Sequence, residues 1–200
     1  MDYNRPAKAH QAEIEVRKSR FICDIWPVTD RHSATAFIDV IRTQHPKANH
    51  HCWCYIAGSP NDAHQWNYSD DGEPKGTAGQ PMLNVLRHSE LGNICAVVTR
   101  YFGGIKLGTG GIARAYSQAV QEALQTLPCE TVTPTLQLTM TAPYDLTGEL
   151  EQLIAQFQLT DCERLFGTQI QINAKLVANR LDAFKLALTP FQHQVNLCVS

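Results

Sequence analysis

Apolar positions come in short alternating runs over the first part of the chain. Ile14 and Val16 alternate with polar neighbours, and Phe21, Cys23 and Ile25 do the same, which predicts two early strands. Ala36, Phe37, Val40 and Ile41 then recur at helical spacing, in a helix that ends before Pro46. His50 to Ile56 reads as a strand and is followed by a turn-rich loop running through Gly79. Pro81 suits a first helical position, Met82, Val85 and Leu86 form an apolar face, and Gly92 closes that helix. Residues 94–99 form a continuous apolar strand of the kind found at the centre of a sheet. A glycine-rich stretch over 103–111 leads into a helix whose face carries Ile112, Tyr116, Ala119, Val120, Ala123 and Leu127.

Between Pro128 and Pro134 the pattern changes, and beyond it only Gly148 and Gly167 remain of the glycines. Leu136, Leu138 and Met140 alternate as a strand, and Leu146, Leu150, Leu153, Ile154 and Phe157 repeat as a helix. A strand over 159–166, a turn at Gly167 and a strand through Ile170, Ile172 and Leu176 follow. A helix carrying Leu181, Phe184 and Leu188 ends at Pro190, before a last strand with Val195, Leu197 and Val199. The order βαββαβ is that of the ferredoxin-like arrangement. The expected fold class is α+β in two domains, 1–131 and 132–200.

Composition narrows the class. The 200 residues are 44% hydrophobic and 18% charged, ordinary globular values that exclude a disordered chain, a collagen-like repeat and a coiled coil. The tightest apolar run, 94–98, falls far short of the roughly 20 residues a membrane helix needs. The polar N-terminus lacks a signal-peptide stretch, so a cytoplasmic protein without a membrane partner is expected. Seven scattered cysteines, an odd number, fit reduced thiols better than a disulfide framework.

Net charge is only −2, but its distribution is uneven. Over 75–114 five cations, Lys75, Arg87, Arg100, Lys106 and Arg114, face Glu90 alone, and Asp70, Asp71 and Glu73 lie just before them. Five glycines, Gly103, Gly104, Gly108, Gly110 and Gly111, crowd into nine positions between a strand and a helix. Glycines let backbone N–H groups converge, and a helix start adds partial positive charge, so the segment suits a phosphate. Arg100, Lys106 and Arg114 would add formal charge, with Thr109 as a helix cap. The spacing matches neither a Walker A loop nor a dinucleotide fingerprint, and tight turns alone would also use these glycines. Asp70, Asp71 and Glu73 could hold a hard cation such as Mg²⁺, although such a run is more commonly a solvated acidic loop. On a strand, His50, Cys52 and Cys54 share one face, but the ligand count for zinc is not met. His50 and Asp71 are the acid–base candidates.

Three segments, 48–52, 70–79 and 99–111, continuing through Arg114, Ala115 and Tyr116, together resemble the bacterial members of the IMPACT protein family. The resemblance covers about 20–127, and the βαββαβ tail agrees with the second domain of those members. Cys54 departs from the small residue usual in the family, and Lys75 and Gln80 are also local variations. The resemblance implies a first domain folded like the second domain of the fifth small-subunit ribosomal protein and domain IV of elongation factor G, with a left-handed βαβ crossover. It implies a second domain like a translation-factor domain, and a role in regulating translation. Eukaryotic relatives interfere with activation of an initiation-factor kinase by binding its activator, a pathway that bacteria lack. The expectation is therefore a translation-linked binding protein, without a cofactor, that contacts RNA, the ribosome or a translation-associated protein through the glycine-rich basic loop. Tyr101 and Phe102 flank that loop, and alternation sends at least one of them to the core. The alternatives are a metal-assisted enzyme acting on a phosphorylated small molecule or nucleotide, and an interaction module using the second domain's sheet.

Overall fold

A computed structural model describes residues 2–200, and the fold it shows is mixed α and β, in two compact units, Tyr3–Val132 and Thr133–Ser200.

In the first unit, β1 (Tyr3–Pro6), β2 (His10–Val16) and β3 (Ser19–Pro27) precede α1 (Arg31–Gln44), β4 (His50–Ile56) and β5 (Trp66–Ser69). Then come α2 (Gly79–His88), β6 (Ile94–Tyr101), α3 (Thr109–Gln125) and β7 (Cys129–Val132). Five strands form an antiparallel sheet in the order β2-β3-β6-β4-β5, and β1 pairs with β7 in a separate ribbon. The middle strand β6 is buried from Ile94 through Arg100, which explains why its sequence is apolar without alternation. One sheet face packs Phe21, Cys23, Cys52, Cys54 and Val98 against Met82, Leu86, Tyr116 and Val120 of α2 and α3. The opposite face packs Tyr55, Cys95 and Val97 against Ala34, Ile38 and Ile41 of α1. A capping box starts α1: the Ser33 N–H donates to Asp30 Oδ1 at 2.8 Å and the Asp30 N–H to Ser33 Oγ at 3.2 Å.

The second unit runs β8 (Thr135–Ala142), α4 (Thr147–Phe157), β9 (Thr160–Phe166), β10 (Ile170–Val177), α5 (Leu181–Leu188) and β11 (Asn196–Val199). Its antiparallel sheet has the order β11-β8-β10-β9, the ferredoxin-like βαββαβ arrangement. Leu138, Met140, Ile170, Ile172 and Leu176 of the sheet bury against Leu150, Leu153 and Phe184 of the helices.

Several expectations are corrected. The loop before Gly79 contains β5, a four-residue edge strand whose exposed positions give no alternation to read. The ribbon strands β1 and β7, also four residues each, are too short to show a period. Pro81 is the third residue of α2, not its first. Gly92 does not close that helix, which ends at His88; a Cβ at Gly92 would lie 2.4 Å from the Gly58 carbonyl oxygen, so the position is set by close packing. Thr109 is not the cap of α3, because Gly108 is, at φ 70°, and no side chain accepts from the helix start.

Candidate functional site

The site begins with strand parity. Along β6, Ala96, Val98 and Arg100 point to the α2–α3 face, and in register His50 of β4 lies opposite Arg100, with Cys52 opposite Val98. Arg100 thus continues a row of core residues. It is 5% exposed, and its Nη1 donates to Glu73 Oε1 at 2.5 Å. The Tyr116 hydroxyl donates to the same oxygen at 2.9 Å, and the guanidinium lies over the rings of Phe21 and Phe102. Arg100 is therefore not the free cation beside the loop that composition suggests; Glu73 neutralises it. Removing either partner would strand a buried charge, at about 3–5 kcal/mol.

The acidic segment is likewise occupied by protein donors. Asp70 Oδ1 accepts from the N–H groups of Ala78 and Gly79 at 3.0 and 2.8 Å, and Oδ2 from Gly76 N–H at 2.8 Å. Asp70 thereby caps α2 from outside the helix. Asp71 Oδ2 accepts from the His51 N–H at 2.7 Å, and Oδ1 pairs with Arg42 at 2.9 Å. Asp70, Asp71 and Glu73 thus point to three different sets of donors. Among the described residues no three His, Cys, Asp or Glu side chains converge as a metal-ligand set.

His50 is held by its Nδ1, 2.9 Å from the Asp71 carbonyl oxygen. A carbonyl only accepts, so a proton is assigned to Nδ1, and Nε2 lies 3.9 Å from Glu73 Oε1. Burial pushes the thiols of Cys23, Cys52, Cys54 and Cys95 well above the usual range, and Cys52 donates to the Asp70 carbonyl oxygen, so none is poised as a thiolate. All seven cysteines are free.

These segments meet around one cleft of about 520 Å³, lined among others by His50, Glu73, Arg100, Lys106, Gly108 and Thr109. All three of the singled-out sequence segments contribute to it. The helix ladder of α3 begins only where Ile112 N–H reaches the Gly108 carbonyl oxygen at 2.9 Å. The N–H groups of Thr109, Gly110 and Gly111 are thereby left at the helix start without intrahelical acceptors. Lys106 is exposed, with no ion-pair partner among the described residues. Arg114 is exposed one turn on, its Nε donating to the Gly110 carbonyl oxygen at 3.3 Å. Gly104 sits at the loop tip at φ 85°. Of the two flanking aromatics, Tyr101 is packed, its hydroxyl 3.0 Å from His45 Nδ1, while Phe102 is 47% exposed and lines the cleft.

Two contributors are absent from the sequence-based set. Asn49 accepts the Phe102 N–H at 2.8 Å and donates its own N–H to the Arg100 carbonyl oxygen at 2.9 Å, which fixes where the loop leaves β6. The Arg17–Lys18 turn packs against Gly103 so closely that a Cβ there would lie 2.0 Å from the Lys18 carbonyl carbon. That places two further exposed cations next to the loop. The adjacent basic pair between two strands was the available signal, and a charge count confined to 75–114 does not reach it.

Residues 17–124, over half of the chain, match the family model of the Impact N-terminal domain. The chain belongs to the IMPACT family. It is 42% identical over 181 residues to the Escherichia coli IMPACT family member YigZ, covering 90% of this chain and 81% of the relative. It is 40% identical over 188 residues to an IMPACT family member of Haemophilus influenzae, covering 94% and 91%. A crystal structure of a protein described as hypothetical superposes with a TM-score of 0.74 at 36% identity, over 98% of this chain and 96% of that one. The cleft-forming segments all lie within the matched IMPACT domain. No helix among the described residues is long and apolar enough to cross a membrane.

Proposed function

We propose that this IMPACT family member is a translation-linked binding protein that receives an RNA phosphate at the start of α3. The observation that carries the reading is the convergence of all three sequence segments on one cleft whose floor includes an uncapped helix start. Such a start offers N–H donors and partial positive charge to an anion. Lys106, Arg114, Arg17 and Lys18 supply screening-sensitive attraction around it, and exposed Phe102 offers a face on which a base can stack. Arg100 supports the cleft wall through Glu73 rather than the ligand. The partner is RNA, the ribosome or a translation-associated protein, and family membership supports a translation-associated one. A metal-assisted enzyme has less support, because the three carboxylates it would use are each held by protein donors.

The test is co-sedimentation with ribosomes and free subunits across a salt series. Lys106→Ala is expected to weaken binding and to lower the log–log salt slope by about one. Thr109→Asp places a carboxylate at the helix start; it should abolish binding while stabilising α3 by about 0.3–1 kcal/mol through the helix dipole. Salt-independent sedimentation, or binding unchanged in Thr109→Asp, would rule the reading out.

A further inference from the structure

Just past the end of β6, the ring of Phe102 has one side covered. The Arg100 guanidinium lies over it, 5.7 Å from the ring centroid, and Arg100 is itself buried. Phe102 is nevertheless 47% exposed, so the surface it offers the cleft is the ring face away from Arg100. Its main chain is fixed as well. Asn49 Oδ1 accepts the Phe102 N–H at 2.8 Å, and the Asn49 N–H donates to the Arg100 carbonyl oxygen at 2.9 Å. A half-exposed ring held from behind and at its own backbone is a platform for a planar group.

The same hydrogen bond orients the Asn49 amide. A backbone N–H only donates, so the amide oxygen faces Phe102, which fixes oxygen and nitrogen in place. The amide nitrogen makes no hydrogen bond among the described residues, and Asn49 is exposed and lines the same cleft as Phe102. Two N–H donors are thereby left beside an open aromatic face, with the acceptor end of the amide already engaged.

The nucleic-acid bases differ in how they meet such a donor. Guanine and uracil carry a carbonyl oxygen, O6 or O4, where adenine and cytosine carry an amino group that donates. Asparagine reads adenine with both ends of its amide, accepting from N6 and donating to N7. Here the accepting end is taken by the Phe102 N–H. What remains pairs with a carbonyl and leaves an amino group unmatched.

We propose that Phe102 and Asn49 form a base subsite that selects a keto base, guanine or uracil, in single-stranded RNA. The base stacks on the open face of Phe102, and its O6 or O4 accepts from Asn49 Nδ2. This inference rests on the reading of the α3 start as the phosphate site. The shared cleft, about 520 Å³, falls within the range of about 300–1,000 Å³ that holds one small molecule, so base and phosphate of one nucleotide occupy it together. Duplex RNA, with its bases paired and stacked, does not present this edge.

The test is fluorescence anisotropy on the intact chain with labelled oligouridylate and oligocytidylate of equal length, at low and moderate salt. The two bases match in size and differ at the O4 carbonyl against the amino group. Binding of both is expected to fall with salt, with oligouridylate tighter by about three- to tenfold at either salt, the worth of one hydrogen bond. Asn49→Asp keeps an oxygen on the Phe102 N–H and turns the donor into an acceptor. It should weaken both oligomers through its charge and reverse the preference toward oligocytidylate. Phe102→Leu removes the stacking face and should weaken both, drawing the ratio toward one. Equal binding by the parent protein, or tighter binding of oligocytidylate, overturns the base subsite and leaves the salt-dependent phosphate reading in place. So does a preference for oligouridylate that persists undiminished in Asn49→Asp. No binding of either oligomer at low salt overturns both readings.

Discussion

Asp24 shows how a single side chain couples stability to pH. Burial raises its carboxyl above the ordinary range; the Gln11 hydrogen bond and the His45 charge oppose this only in part. A carboxyl whose pKa is higher in the folded state favours folding most when protonated. Its contribution is therefore full below the unfolded value of about 3.9 and is lost as pH rises through the higher folded value. Asp24→Asn removes the charge with little change of shape. The variant is expected to be more stable than the parent at neutral pH by about 1 kcal/mol, with the gap closing toward acid. Urea unfolding at neutral pH and near the ordinary carboxylate pKa checks this; a variant less stable at neutral pH would contradict it. None of this is legible in the sequence, where Asp24 is one acid among 19 acidic residues. Arg100 is partly legible: its place two after Val98 puts it in the core row of β6, but its neutralising partner, Glu73, comes from 27 residues away. Counting Arg100 as a free cation overlooked that parity.

Elements with long periodic faces were readable. The strands β2, β3, β4 and β6 and the helices α1 and α3 lie where alternation and helical spacing put them, because each buries one side against a sheet or a helix layer. The short elements β1, β5 and β7 were not readable, since four residues are too few to show a period. The start of α2 was misread for another reason. Its N-cap, Ala78, has no side chain able to cap, and the function is supplied from eight residues upstream by Asp70. The acidic segment is thus a device for folding the loop onto the helix start. Asp70→Ala is expected to destabilise the protein by about 2–3 kcal/mol, the loss of charge-assisted bonds to backbone donors, with amide exchange accelerating first at Gly76, Ala78 and Gly79. A change in unfolding free energy below about 0.5 kcal/mol would show that water replaces the carboxylate without loss.

For the molecule as a whole, each unit has its own hydrophobic core. Residues 133–200 bury fifteen residues around Leu150, Ile172 and Phe184. The separate fragment 133–200 is expected to fold, giving a dispersed amide spectrum. Phe184→Ala, at a fully buried position, should destabilise it by about 3–5 kcal/mol, as it should the same unit in the full chain. A fragment with collapsed dispersion would contradict that expectation. The sequence by itself determined the class of the fold, the order of the longer elements and the family, because periodicity and contiguous motifs are local properties of the chain. It also marked the three segments that line the glycine-loop cleft. The tertiary structure alone decided which charges are free. The fold of the loop between β5 and α2 brings Glu73 to Arg100 and Asp71 to His51, and Asp24 is left without a second donor. The energy of a charge depends on its solvent exposure and its partners, and both are set by contacts between residues distant in sequence.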